Sequence, residues 1–185
     1  MLSRRHLLLA PLALSIAHAA PLATVRPRAD WKAAPPKPGG RPHTLQRLAL
    51  HHTAGPQVGT DKAPATLRGI QAFHQKDKGW IDLAYHLFVD ADGVAWEGRD
   101  TALAGDTATT YDPAGFLLIC ALGNFEEVTP TNAQLDGIAR LMRAAHDTLG
   151  LSLDTVAIHR ELAATLCPGK NLASRVPEIL ERARR

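Results

Sequence analysis

The run Phe116-Leu117-Leu118-Ile119-Cys120-Ala121-Leu122 constrains the fold more than any other stretch of the chain. In an extended segment successive side chains point to opposite faces, so a run with no polar residue must be covered on both sides. That is a central strand of a sheet with helices against each face. The remaining segments supply the parts. Leu45 to Thr53 is a short apolar run ending in His51-His52 and bounded by Ala54-Gly55-Pro56, which predicts a buried strand. Ile81 to Val89, followed by Asp90-Ala91-Asp92-Gly93 and Val94-Ala95-Trp96, predicts a hairpin. Thr155 to His159 predicts a further short strand.

Helical periodicity appears in three places. Leu67, Ile70 and Phe73 follow Pro64 at helical spacing, and the pattern stops near Gly79. Leu135, Ile138, Leu141, Met142, Ala145 and Leu149 trace one face of a longer helix, with Gly150 placed to terminate it. Pro177 to Arg184 predicts a closing helix with proline in its first turn. Strands interleaved with helices imply an α/β fold, a single domain with a central mixed β-sheet flanked by helices.

Residues 1–19 read as a cleavable signal peptide: Arg4 and Arg5 precede an apolar run from Leu7 to Ile16, and Ala17-His18-Ala19 places small residues at alternate positions. The alternative is a membrane anchor, but the run is half the roughly 20 residues a spanning helix needs, and Pro11 interrupts it. Ser3-Arg4-Arg5-His6-Leu7 also matches a twin-arginine export pattern. The expected product is periplasmic or secreted, with no stable membrane anchor. Cleavage removes two arginines and no acid, so the formal charge falls from +3 to +1. A near-neutral chain with no basic stripe excludes nucleic acid as the partner. Residues 20–44, with Pro35-Pro36-Lys37-Pro38-Gly39-Gly40, carry neither period and read as an extended arm leading into a domain at 45–185.

Catalytic zinc takes three protein ligands and leaves a fourth position open. His51 at the end of one predicted strand, His159 at the end of another and Cys167 a short loop later fit that scheme. A second use of the cysteines competes with it. In an oxidising compartment Cys120 and Cys167 could pair, which would remove the thiolate. Spacing alone leaves both open.

The order of motifs narrows the choice. Leu50-His51-His52-Thr53-Ala54, Tyr85-His86-Leu87-Phe88, His159-Arg160-Glu161 and Thr165-Leu166-Cys167-Pro168-Gly169 occur in sequence. Between and around them stand Arg28-Ala29-Asp30-Trp31, Phe73-His74, Gly79-Trp80, Asp92-Gly93, Trp96-Glu97-Gly98-Arg99 and Gly123-Asn124-Phe125. This set, spanning nearly the whole chain after the signal, resembles the type 2 N-acetylmuramoyl-L-alanine amidases, the family that also contains the peptidoglycan recognition proteins. The resemblance implies one Zn2+ per chain held by His51, His159 and Cys167. It also implies hydrolysis of the amide between the lactyl group of N-acetylmuramic acid and L-alanine in peptidoglycan or a muropeptide. Strand alternation agrees with His51 rather than His52, since neighbours on a strand face opposite ways.

By the same resemblance Tyr85 contacts the reacting oxygen, and Thr165 stands where phage members carry lysine and many catalytic recognition proteins carry threonine. Two imidazoles and a thiolate leave a divalent ion a formal charge of +1, so such oxyanion donors matter. Two rival readings remain: a recognition module that holds peptidoglycan without cutting it, in which the cysteine is commonly replaced, and a zinc hydrolase of another amide. The chain departs from the family at Ala104-Gly105-Asp106-Thr107, where many recognition proteins read Gly-Ala-His-Thr. The loop from Thr101 to Pro113 is therefore where specificity is expected. His74 and His86 fall on family positions without a metal role, and His43 and His146 read as loop or helix surface.

Overall fold

A computed structural model describes residues 25–185, so the signal-peptide expectation for residues 1–19 lies outside the described residues. The described strands are β1 (Val25–Arg26), β2 (Arg47–His52), β3 (Leu87–Val89), β4 (Ala95–Glu97), β5 (Phe116–Ala121) and β6 (Ala157–Ile158). The helices are α1 (Ala63–Lys76), α2 (Asn132–Leu149), α3 (His159–Leu162), α4 (Lys170–Ala173) and α5 (Val176–Arg184). The strands form one sheet in the order β1-β4-β3-β5-β2-β6, parallel throughout except for the β3–β4 hairpin. The expected mixed sheet flanked by helices is the observed architecture.

All six side chains of β5 are buried, as a strand flanked by two parallel neighbours requires. Its alternation divides the interior. Leu117, Ile119 and Ala121 join Leu48, Leu50, Leu87 and Val89 under α2 and α5. On the other face Cys120 joins Phe88, Trp96, Leu67 and Trp31, while Phe116 and Leu118 join Ala49. The long helix α2 starts at Thr131, whose Oγ1 accepts the Gln134 N–H at 3.0 Å, and ends at Gly150 in the left-handed region, φ 68°. Gln134 is fully buried and donates to the carbonyls of Val89 and Leu122, closing the ends of β3 and β5. Gly137 lets α2 press against the hairpin turn: a Cβ there would lie 2.5 Å from the Gly93 carbonyl oxygen.

Two segments differ from expectation. From residue 25 onward the proline-rich stretch is packed onto the domain. β1 pairs with β4, Trp31 is completely buried with its Nε1 donating to the Glu97 carbonyl at 2.8 Å, and Ala34 exchanges two hydrogen bonds with Gln71. One large aromatic residue supplies enough apolar area to anchor a segment that has no periodicity of its own. In α1 the buried face runs through Leu67, Gln71 and His74, while Phe73 is 48% exposed under the Lys78 ammonium. The polar residues turn inward because each has a partner: Gln71 Nε2 donates to Asp82 at 2.7 Å, and His74 Nδ1 accepts the Ala84 N–H at 3.1 Å.

Gly137→Ala raises helix propensity yet is expected to lower stability by about 1–3 kcal/mol through overpacking against the turn, read as a reduced urea midpoint. A second expectation concerns pH. His86 Nδ1 accepts the Leu118 N–H at 3.0 Å while Nε2 faces the Leu103 carbonyl at 2.9 Å, an arrangement only the neutral ring can make. Burial pushes both His86 and His74 down to about 4. Between there and the ordinary value near 6.5 the unfolded chain binds more protons than the folded one, so stability rises with pH across that window. The unfolding free energy read from urea titrations should fall steadily from pH 6.5 to pH 5, by about 1 kcal/mol per histidine per pH unit, and the urea midpoint with it. An unchanged midpoint would contradict these ring assignments.

Candidate metal centre

Parallel pairing of β2 with β5 sets His51 opposite Cys120 and His52 opposite Ala121, so the two histidines leave the sheet on opposite faces. His52 turns to the α2 side, where its Nδ1 accepts the Phe125 N–H at 3.2 Å. His51 turns to the other side, fully buried. It meets His159, with ring centroids 4.8 Å apart, and Cys167, whose Sγ lies 3.7 Å from His51 Nδ1. One donor atom from each of His51, His159 and Cys167 lies within 4.8 Å of the other two.

His159 was expected to close a strand and instead opens the short helix α3, because Glu161 Oε2 accepts the Ile158 N–H at 3.0 Å and turns the chain. The cysteine returns through a braced loop. The Arg160 amide donates to the Cys167 carbonyl at 2.9 Å, and Gly169 donates to the Leu166 carbonyl at 2.7 Å. Glu126 Oε1 accepts from both Arg160 Nη2 at 2.9 Å and the Lys170 amide at 2.8 Å. Gly169 at φ 90° passes so close to Phe125 that a Cβ would fall 2.3 Å from its carbonyl carbon. The Cys167-Pro168 peptide bond is cis.

The donor set suits a metal ion. His159 Nδ1 is buried with no hydrogen-bond partner, which is a lone pair or proton with nothing to satisfy it. Burial lowers the pKa of His51 and His159, keeping both rings in the neutral form a metal requires. Burial also pushes the Cys167 thiol up to about 12, so an incoming ion must displace its proton. The His52 amide points at Sγ from 3.4 Å and would support the thiolate. Both cysteines are free, and the Cys120–Cys167 bridge considered above is not formed.

The two other expected site residues stand apart from this cluster in different ways. The Tyr85 ring lies 5.0 Å from the His51 ring, and burial holds its phenol well above the ordinary value, hence protonated at neutral pH. Thr165 sits on the cysteine loop, where its Oγ1 accepts the Cys167 N–H at 3.2 Å. Two residues not singled out from the sequence also face the cluster. Tyr111 OH is 3.5 Å from His51 Nε2, and Thr109 Oγ1 is 2.9 Å from His159 Nε2. Both belong to the 101–113 loop, whose irregular sequence held the only hint of them.

The acid that departs from the family pattern is engaged as well: Asp106 pairs with Arg99, a guanidinium only 2% exposed that also donates to the Leu83 and Ala104 carbonyls. This pair lines a cavity of about 400 Å3 together with Arg41, Trp80, Thr107 and Pro113. The loop is tied to the N-terminal segment by an Arg41–Asp112 ion pair and by His43, whose Nδ1 accepts the Gly115 N–H and whose Nε2 meets the Thr101 carbonyl.

A family model described as N-acetylmuramoyl-L-alanine amidase matches residues 41–170. The human protein of that name is 33% identical over 157 residues, which cover 80% of this chain but only 27% of the human protein. Peptidoglycan-recognition protein SC2 of Drosophila simulans is 31% identical over 159 residues, covering 80% of this chain and 82% of that one. Among solved structures, peptidoglycan recognition protein-LE, in complex with tracheal cytotoxin, superposes with a TM-score of 0.76 at 27% identity, covering 84% of this chain and 94% of that one.

Glu126→Ala removes the carboxylate that joins Arg160 to the start of α4 and is expected to loosen the cysteine loop. Amide exchange at Cys167 and Lys170 should speed up at least several-fold. Unchanged exchange at both amides would show that the loop holds without this carboxylate.

Proposed function

The chain belongs to the N-acetylmuramoyl-L-alanine amidase family, and on that premise we propose that it is an exported zinc amidase. Its reaction is hydrolysis of the amide between the lactyl group of N-acetylmuramic acid and the L-alanine of the peptidoglycan stem peptide. The observation that carries this reading is the convergence of His51, His159 and Cys167 within 4.8 Å, with His159 Nδ1 buried and otherwise unsatisfied. Two relatives bear on the substrate: the human protein is named N-acetylmuramoyl-L-alanine amidase, and peptidoglycan recognition protein-LE is bound to tracheal cytotoxin, a monomeric diaminopimelic acid-type peptidoglycan.

His51, His159 and Cys167 would hold the zinc ion, which when bound would supply Lewis-acid polarisation of the scissile carbonyl and activation of water near neutral pH. The protein's own groups do the rest. Tyr85, kept protonated by burial, donates to the negative charge that develops on the carbonyl oxygen. Thr165 offers a neutral hydroxyl from the loop that carries Cys167 and so positions without adding charge. The nearby carboxylates of Glu126 and Glu161 are engaged in structural hydrogen bonds, which assigns them to bracing.

The test uses purified protein and isolated sacculi. About one zinc per chain and new L-alanine amino termini, abolished by chelation and by His51→Ala, are the expected results. Tyr85→Phe should keep the zinc while lowering kcat about a hundredfold or more. Zinc without release of L-alanine termini would point to an amide in another substrate. Binding to sacculi with neither zinc nor cleavage would establish a recognition module instead.

A further inference from the structure

His159 shows one ring nitrogen to a partner and the other to none. Its Nε2 lies 2.9 Å from Thr109 Oγ1, whereas Nδ1 is buried without a hydrogen bond, in a residue 7% exposed. Thr109 Oγ1 is in turn 2.8 Å from Thr107 Oγ1, which accepts the Thr109 N–H at 3.1 Å. A neutral imidazole carries one proton, and these contacts decide where it goes.

If the proton sat on Nδ1, a buried N–H would face no acceptor and its lost hydration would go uncompensated. With the proton on Nε2, the ring and Thr109 both have their hydrogens placed: Nε2–H donates to Thr109 Oγ1, and the Thr109 hydroxyl donates to Thr107 Oγ1. The lone pair of Nδ1 is then left pointing into the His51–Cys167 cluster.

We infer that Thr109 is a positioning residue, holding His159 in the tautomer and orientation that present Nδ1 to a metal ion. This rests on the metal reading of the cluster. Histidine ligands are ordinarily oriented in this way by a group on the far nitrogen, often a carboxylate or carbonyl. Here the acceptor is a hydroxyl, which fixes the ring without adding negative charge behind it. The nearby acid, Asp106, is committed to Arg99. Tyr111, two residues on, stands toward the far nitrogen of His51, so one short loop segment backs both imidazoles.

The test compares Thr109→Val, which keeps shape and loses the hydroxyl, with Thr109→Ser, which keeps the hydroxyl. Zinc affinity is measured by competition with a chromophoric chelator. The valine variant is expected to bind about ten- to a hundredfold more weakly and the serine variant within a few-fold of the parent. Ring 15N shifts of His159 in chelator-treated protein give a readout that packing alone would not move. The parent should show a protonated Nε2 and a bare Nδ1, and the valine variant a mixture of tautomers.

A parent His159 protonated at Nδ1 would overturn the inference whether or not the valine variant folds. So would a valine variant whose zinc affinity matches the parent's. A parent that binds no zinc would instead overturn the proposed function and this inference with it.

Discussion

The parallel pairing of β2 with β5 is the contact on which the site depends. β5 is buried on both faces, so its register against β2 is held by apolar packing above and below, and a slip of one residue would exchange those faces. That register is what sends His51 to one side of the sheet and His52 to the other. The same strand end serves the cluster twice more. The His52 amide is directed at Cys167 Sγ, and the His52 ring secures Phe125, against which Gly169 packs. A slip would therefore remove a donor, an amide contact and the seat of the cysteine loop together.

Around this rigid edge the remaining donors arrive on short, internally bonded segments. α3 brings His159, and the loop after it returns Cys167 under the control of Arg160 and Glu126. The 101–113 loop closes over them from the opposite direction and is itself pinned by the N-terminal segment through Arg41, Pro42 and His43. The segment that leads into the domain also contributes Gly40 and Arg41 to the lining of the cavity. Such a layout places the reacting groups at strand ends and braced turns, where side chains can be aimed, and leaves variation to the loop that faces the cavity.

Burial sets the electrostatic character of the cluster. Desolvation is the largest influence keeping the imidazoles neutral and the Tyr85 phenol protonated, and it raises the Cys167 thiol. Neutral imidazoles are ready to receive a cation, whereas the raised thiol must first give up its proton to it. No described helix is long and apolar enough to cross a membrane.

The long helix, the central strand and the hairpin were legible in the sequence, as was the set of His51, His159 and Cys167 that the fold brings together, because apolar period, capping residues and motif order are local signals. The partners of those residues were not. Thr109 and Tyr111 lie 50 and 60 positions from the histidines they face, in a loop without period, and no local pattern encodes such a distance. Trp31 and the inward turn of Gln71 and His74 escaped for the same reason, since a polar residue is buried only where the fold supplies its partner. The sequence by itself determined the α/β architecture and named the two histidines and the cysteine that the fold brings together. Only the tertiary structure decided which nitrogen of His159 stands free, which acid is consumed by an arginine and which loop backs the site, because each is a contact between segments distant along the chain.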